Sequence, residues 1–434
     1  MDRPSAGTAK RRQPLALSIA LTLLILLPPA LRAGSTDSSP DAAILLPHPA
    51  LTREKHLAAL GTPAWHAAGS RGQGVKVAIL DTGFRGYRAF LGKALPAQVT
   101  VHSFRTDGDL EARDSEHGIL CGEVVHAVAP EAELLFANWD CDRPDQFLDA
   151  VRWARDHGAR VISCSVVVPT WSDGEGGGPI HESLTKLLGH DVLCFASAGN
   201  TAQRHWSGAF HDAGDGWHEW APGRKDNLMV PWGREPVSVE LCWPRGADYE
   251  LAVWDATTGT EVGRSEPREG TERTCAVVWV RPELRHSYWV RVRRAAGHPA
   301  GRFHLVTLGG GLEVTTARGS IPFPGDGPEV IAVGAVGADG RRAPYSSCGP
   351  NSSWPKPDLV AVVPFPSQAR SRPFAGTSAA APQAAALAAL LWSRCPGWNA
   401  DRVRETLLKS AHDLLAPGHD DETGYGSITL PPLP

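Results

Sequence analysis

From position 75 to 200 the chain alternates short apolar runs with amphipathic stretches. Residues 75–80, 133–138, 160–168 and 191–198 read as strands, each nearly continuous in Val, Ile, Leu, Phe and Ala and bounded by turn residues. Helices are predicted between them over 118–128 and 145–157, and a short one ahead of them over 54–68. Buried strands alternating with helices predict an α/β fold, a parallel sheet covered on both faces.

The pattern changes after Asn200. From about 205 to 311 the chain is Trp-rich and alternates with period two: Val237, Val239, Leu241 and Trp243 share one face of a strand. Tyr249, Leu251 and Val253 share another, as do Tyr288, Val290 and Val292, and further strands are predicted over 274–280 and 303–308. With turns such as Thr258-Gly259 these strands predict a small antiparallel β-sandwich. It is inserted in the larger domain, because α/β character resumes at 330–334 and a long helix is predicted over 378–392. The expected domains are therefore 56–204 and 312–434, interrupted by 205–311.

The N-terminus adds a location. Lys10, Arg11 and Arg12 precede an apolar run over 15–27 and a small-residue exit at Ala33-Gly34, the layout of an export signal over 1–33. The run is short for a spanning helix, which needs about 20 apolar residues. An uncleaved anchor is the alternative. Residues 34–55 read as a polar leader, and the body is expected outside the cytoplasm with no integral membrane domain beyond the signal. A net charge of −4 with no basic stripe argues against a nucleic-acid partner. Eight cysteines suit an exported chain, and Cys242 with Cys275 is the pairing to expect, since both fall in the β-module. Cys164 and Cys194 lie in apolar runs where a buried thiol is equally natural.

Three segments carry candidate chemistry. Val77 to Leu80 ends in Asp81-Thr82-Gly83, Glu116-His117-Gly118 opens a helix, and Gly376-Thr377-Ser378 begins an Ala-rich helix. Asp81 would sit at the carboxyl end of a parallel strand, where open sheets bind ligands. A serine hydroxyl needs a neighbouring base, histidine can serve near neutral pH, and a carboxylate fixes the histidine tautomer. A helix N-terminus offers unpaired N–H groups to a developing oxyanion. Asn200, closing the run Ser197-Ala198-Gly199, could add a side-chain amide. Each motif alone is weak; in the order Asp, His, Asn, Ser they are specific.

On these residues the sequence resembles the subtilase family, over about 56–204 and 312–428. Ala129-Pro130-Glu131-Ala132, Tyr345 to Pro350 with Lys356 to Ala361, and Gly418 through Gly424-Tyr425-Gly426 also match family segments. The resemblance implies a subtilisin-like three-layer fold with a seven-stranded parallel sheet. It implies secreted peptide-bond hydrolysis through an acyl-enzyme, with protein or peptide as substrate. It further implies Asp81, His117 and Ser378 as triad, Asn200 in the oxyanion hole, and Ser165, Val166, Val167, Ser197, Ala198 and Gly199 along the substrate. Calcium is the cofactor the family suggests, at sites the residues do not locate. Three departures stand out: Ser165-Val166-Val167-Val168 replaces the usual Ser-Leu-Gly-Gly, Ile119 replaces threonine, and there is too little chain before 56 for the usual inhibitory prodomain.

Other motifs lead elsewhere. Gly72-Gln73-Gly74 precedes a strand and so is no dinucleotide loop, and His181-Glu182 lacks the second histidine of a zinc helix. The stretch 205–219 is rich in ligand types but matches no standard metal loop, and reads equally as a solvated entry loop. Asn351-Ser352-Ser353 is a glycosylation sequon. The rival to an active peptidase is a secreted binding protein whose β-sandwich recognises a protein or glycan and whose protease site is vestigial.

Overall fold

The computed structural model describes residues 51–433 except 113–114, 213 and 266–272, so the expected signal and most of the leader lie outside the described residues. Strands β1 (Lys76–Leu80), β2 (Thr100–Ser103), β3 (Glu133–Asn138), β4 (Ala159–Cys164) and β5 (Leu193–Ser197) belong to one parallel sheet. The chain then leaves it for β6 (His205–Ala209), β7 (Asn227–Pro231), β8 (Val237–Cys242), β9 (Tyr249–Asp255), β10 (Glu261–Ser265), β11 (Cys275–Val280), β12 (Tyr288–Arg294), β13 (Arg302–Leu308) and β14 (Gly310–Leu312). It returns with β15 (Val330–Val336) and β16 (Leu359–Val362), completing seven strands in the order β16-β15-β5-β4-β1-β3-β2. From β1 the chain goes out to the edge strand β2 and back to β3 between them, then continues on the other side of β1 through β4, β5, β15 and β16. The direction of winding thus reverses beside β1, the place where such sheets open a crevice at their carboxyl ends.

Both faces of this sheet are covered, as the continuous apolar strands require. Val77 and Ile79 of β1 point toward α3 (His117–Val128) and α6 (Thr377–Arg394), while Ala78 and Leu80 point toward α4 (Pro144–Asp156) and α5 (Pro179–Leu188). Helices α1 (Arg53–Ala59), α2 (Thr62–Ala67) and α7 (Ala400–Ser410) join the α3–α6 side. The single helix expected over 54–68 is divided at Leu60-Gly61, where Gly61 adopts φ 77°. α1 starts at Arg53, inside the expected leader, and Arg53 Nη2 lies 2.6 Å from the buried Glu123 of α3. The strand expected to run to 168 leaves the ladder at Cys164.

β6 to β14 form two antiparallel sheets, β10-β9-β12-β7-β14 and β11-β8-β13-β6. Their inward side chains, among them Val239, Leu241, Tyr249, Val253, Val290 and Phe303, share one core. The opposite face of the four-stranded sheet is buried too: Ser238, Glu240, Cys242, His304 and Val306 are all covered. Cys242 Sγ donates to Pro169 O at 3.3 Å, which places this face on the segment following β4. Cys242 and Cys275 are register partners in β8 and β11, but both are thiols, so the expected disulfide is not formed. Sitting opposite is not enough, since bridging also requires the two Cβ vectors to converge.

Candidate active site

Asp81 follows the last residue of β1 and is fully buried. One carboxylate oxygen, Oδ1, accepts from Thr82 N–H (2.7 Å) and Gly83 N–H (3.2 Å), which fixes the group and leaves Oδ2 for His117 Nδ1 at 2.7 Å. The glycines of Asp-Thr-Gly and His-Gly explain the alignment. Gly118 N–H donates to Gly83 O at 2.7 Å. A Cβ on Gly83 would come within 2.5 Å of Ser115, and one on Gly118 within 2.5 Å of the Phe84 ring. Only side-chain-free residues let the end of β1 and the start of α3 touch, and that contact sets the Asp81–His117 distance.

Since Nδ1 donates to the carboxylate, the free imidazole nitrogen is Nε2, the one that can take a proton. It is buried and has no hydrogen-bond partner, so the Ser378 hydroxyl is not bonded to it in this arrangement. Phe374 meets the imidazole edge-on at 5.5 Å. Such hydrogen bonds commonly tighten only when substrate binds.

Ser378 is the second residue of α6 and is 1% exposed. Gly376 caps the helix with φ 86°, a conformation side chains resist, and so turns the chain sharply into it. Pro382 lies one turn on and has no N–H, which leaves Ser378 O without its helical partner. Ser165 Oγ (3.4 Å) and Cys121 Sγ (3.7 Å) approach that carbonyl instead. Cys121 also lies 3.9 Å from Asp81 Oδ2, between that carboxylate and the start of α6. Burial, reinforced by Asp81, pushes its thiol well above the ordinary range, so it stays protonated and donates.

Asn200 presents its amide the right way round. Oδ1 accepts from Thr377 N–H and from Thr377 Oγ1–H, both at 3.0 Å. Because a backbone N–H can bond only the oxygen, Nδ2 is the end left to face a bound carbonyl. Of the residues expected along the substrate, Ser165 reaches Ser378 O and Gly199 N–H donates to Thr377 Oγ1 at 3.2 Å, while Val166, Val167, Ser197 and Ala198 are buried in the same two segments. Cys121, Thr377 and Phe374 escaped the sequence reading. Cys121 had a signal, for it stands four residues after His117 and so on the same face of α3.

Among the described residues, one set of three His, Cys, Asp or Glu side chains converges to within 4.8 Å: Asp81, His117 and Cys121. A single carboxylate with an imidazole and a thiol does not fit calcium, which takes six to eight oxygens. The stretch 205–219 contributes no such set. His205 lies in β6, and His218 is enclosed by Trp206, Trp220 and Phe303. The Asn351 sequon is likewise structural: the residue is buried and its Nδ2 bonds Gly174 O, Gly319 O and Ile321 O.

The family model described as Subtilase family matches residues 72–229 and 295–426. The chain is 33% identical over 110 residues to Subtilisin DY of Bacillus licheniformis, covering 25% of this chain and 40% of that protein. It is 30% identical over 153 residues to Subtilisin E of Bacillus subtilis (strain 168), covering 32% of this chain and 39% of that one. It thus spans about two fifths of the length of these relatives. The CspB protease of Clostridium perfringens has a similar fold, with a TM-score of 0.62 and 16% identity over 87% of this chain and 97% of that one.

Proposed function

Since the chain belongs to the subtilase family, we propose that it is a serine endopeptidase cleaving peptide bonds through an acyl-enzyme, with Asp81, His117 and Ser378 as its triad. The observation that carries this reading is the 2.7 Å bond from His117 Nδ1 to Asp81, which leaves a buried, partnerless Nε2 as the nitrogen able to take a proton. Ser378 Oγ attacks the peptide carbonyl carbon and its proton passes to Nε2. Asp81 steadies the imidazolium without itself becoming protonated. The oxyanion accepts from Asn200 Nδ2 and the Ser378 backbone N–H. His117 then gives its proton to the leaving amine nitrogen, and water repeats the sequence to release the acid and restore Ser378. No step is routed through a metal. Protein or peptide is the substrate.

We also place the protein outside the cytoplasm, on the composition of residues 1–33. Among the described residues no helix is long and apolar enough to cross a membrane.

The near-complete burial of Ser378 favours the second reading, a binding protein with an idle site. A fluorophosphonate serine probe on the full chain separates the two. Labelling of the wild type and not of Ser378→Ala is expected. Two folded proteins that both refuse the probe would instead support the binding protein.

A further inference from the structure

The aim of the Asn200 amide depends on the backbone that carries it, and two parts of the molecule hold that backbone. The peptide group before Asn200 is held by the body, where Gly199 O accepts from Ser347 N–H at 2.8 Å. The group after it is gripped at both edges. Thr201 N–H donates to Ser347 Oγ at 3.1 Å, and Asn200 O accepts from Arg204 Nε at 3.1 Å. A peptide plane pinned at its N–H alone can still tilt about that bond. Pinned at the C=O as well, it fixes the backbone torsion of Asn200 and with it the direction in which the side chain leaves.

Arg204 in turn is held by the antiparallel part. It stands immediately before β6, and its carbonyl accepts from Thr307 N–H of β13 at 3.1 Å. Its own N–H donates to Thr201 O at 2.9 Å, closing the turn that brings the guanidinium back to Asn200. The guanidinium lies over Trp232, with Cζ 4.9 Å from the ring centroid. Trp232 follows β7, and its N–H donates to Gly309 O at 3.0 Å, at the junction of β13 and β14. A planar cation on an aromatic face is oriented as well as attracted, so Nε keeps its heading. At the other end, Asn200 Oδ1 is bonded to Thr377, the residue before Ser378. Trp232, Arg204, Asn200 and Thr377 thus form one continuous chain of contacts from the antiparallel core to the start of α6.

We propose that Arg204 is a positioning residue, which aims Asn200 Nδ2 at the developing oxyanion and, through its seat on Trp232, makes the antiparallel part a structural member of the oxyanion hole. The proposal rests on the peptidase reading above. Since Arg204 acts through Asn200, the test is a cycle of the two. Turnover of a peptide aryl amide by the full chain is measured for the wild type, Asn200→Ala, Arg204→Met and the double variant, with folding checked by urea midpoints. Asn200→Ala should lower kcat by about 10²–10³, the usual loss of one oxyanion donor. Arg204→Met keeps the stem but removes the donor. It should lower kcat about 10- to 100-fold with KM within about threefold, as misplacing a catalytic group by an ångström does. In the Asn200→Ala background the same change should cost less than about threefold, because the amide it aims is gone. Arg204→Lys, which keeps a donor without the fixed planar fork, should recover part of the lost turnover. Trp232→Leu should lower kcat about 3- to 10-fold by the same route, and it replaces Arg204→Met in the cycle if that variant does not fold. Equal losses in the two backgrounds would show that Arg204 merely fastens the two parts together, and would overturn the proposal. So would a folded Arg204→Met with unchanged kcat. If the wild type in that case takes the fluorophosphonate and cleaves, the positioning role alone falls; if it does neither, the peptidase reading falls with it.

Discussion

Two buried clusters, one in each part of this molecule, treat histidine in opposite ways. In the parallel-sheet body, His181 is held between two carboxylates and kept charged, with its pKa up to about 10. In the antiparallel part, His205 and His218 are driven down by burial to about 3 and about 4. Their ring neighbours are aromatic or imidazole, and among the described residues no carboxylate pairs with either. Glu240 in the same part is pushed up by burial, which works against its charge. The cluster at His181 therefore orients a histidine through opposing partners, whereas the core around His205 and His218 suppresses its charge, as burial also does at His56 of the body. Directed proton transfer needs the first arrangement, and Asp81 with His117 belongs to it.

The sharpest way to break this comparison is to remove orientation in one part and charge in the other. Asp81→Asn preserves shape but can no longer hold His117 in the required tautomer, and should lower kcat by roughly 10⁴. Glu240→Gln, which removes a charge that burial already disfavours and lies away from Asp81 and His117, should leave kcat within about twofold, the scale of substitutions remote from the chemistry. Peptide hydrolysis by purified, folded variants is the readout. An Asp81→Asn enzyme retaining a tenth of its turnover would remove Asp81 from the triad.

Next in size is a packing change. Phe303 lies in the shared core of the two antiparallel sheets, its ring 4.7 Å from Trp206, 4.9 Å from His218 and 5.4 Å from Tyr249. Phe303→Ala should cost about 3–5 kcal/mol of stability. Because the outer face of the four-stranded sheet is buried on Pro169 and its neighbours, calorimetry should show one transition for both parts. Two separated transitions would mean that the antiparallel part folds alone. The same contact makes removal of 210–310 an unclean way to separate binding from hydrolysis, since it would uncover the segment that follows β4.

The catalytic motifs were legible because each is local: a strand ending in Asp81, a helix opening at His117, a helix opening at Ser378. Their convergence could be inferred because parallel strands gather their carboxyl ends on one edge. β3 fell on its expected residues because an apolar run bounded on both sides leaves little freedom. β2 and β10 escaped because they are exposed edge strands whose side chains have no buried face to encode. α5 and α7 went unread, and with α5 the role of His181, since its partners Asp326 and Glu329 stand about 145 residues away. Pro322 was hidden for the same reason: nothing near it in sequence says that it packs against Gly199. Asn351 shows the converse, a motif that looks exposed in sequence and is buried by distant carbonyls.

The smallest effect is acid sensitivity confined to the antiparallel part. His218 Nδ1 accepts from His211 N–H at 3.1 Å, so the ring proton resides on Nε2, which is buried without a partner. Adding a second proton would place a donor where an acceptor is needed and a charge among Trp206, Trp220, Phe210 and Phe303, with His211 repelling it further. The unfolded chain has no such obstacle and takes the proton near the ordinary value of about 6.5. Above that pH both states are neutral and the stability is fully present. As pH falls from about 6.5 toward the folded value of about 4, the unfolded state binds more protons and stability drops. The gap corresponds to roughly 3 kcal/mol from His218, and His205 adds to it in the same direction and over a slightly wider range. His181 acts in the opposite direction and not below about 6.5, where it is protonated in both states; its own stabilisation is fully present there and is lost as pH rises from about 6.5 through about 10. Urea midpoints between pH 7.5 and 4 should therefore fall for the wild type and fall less for His218→Gln. Parallel curves would show that the charge of His218 is not suppressed by its surroundings, and the contrast between the two parts would lose its physical basis.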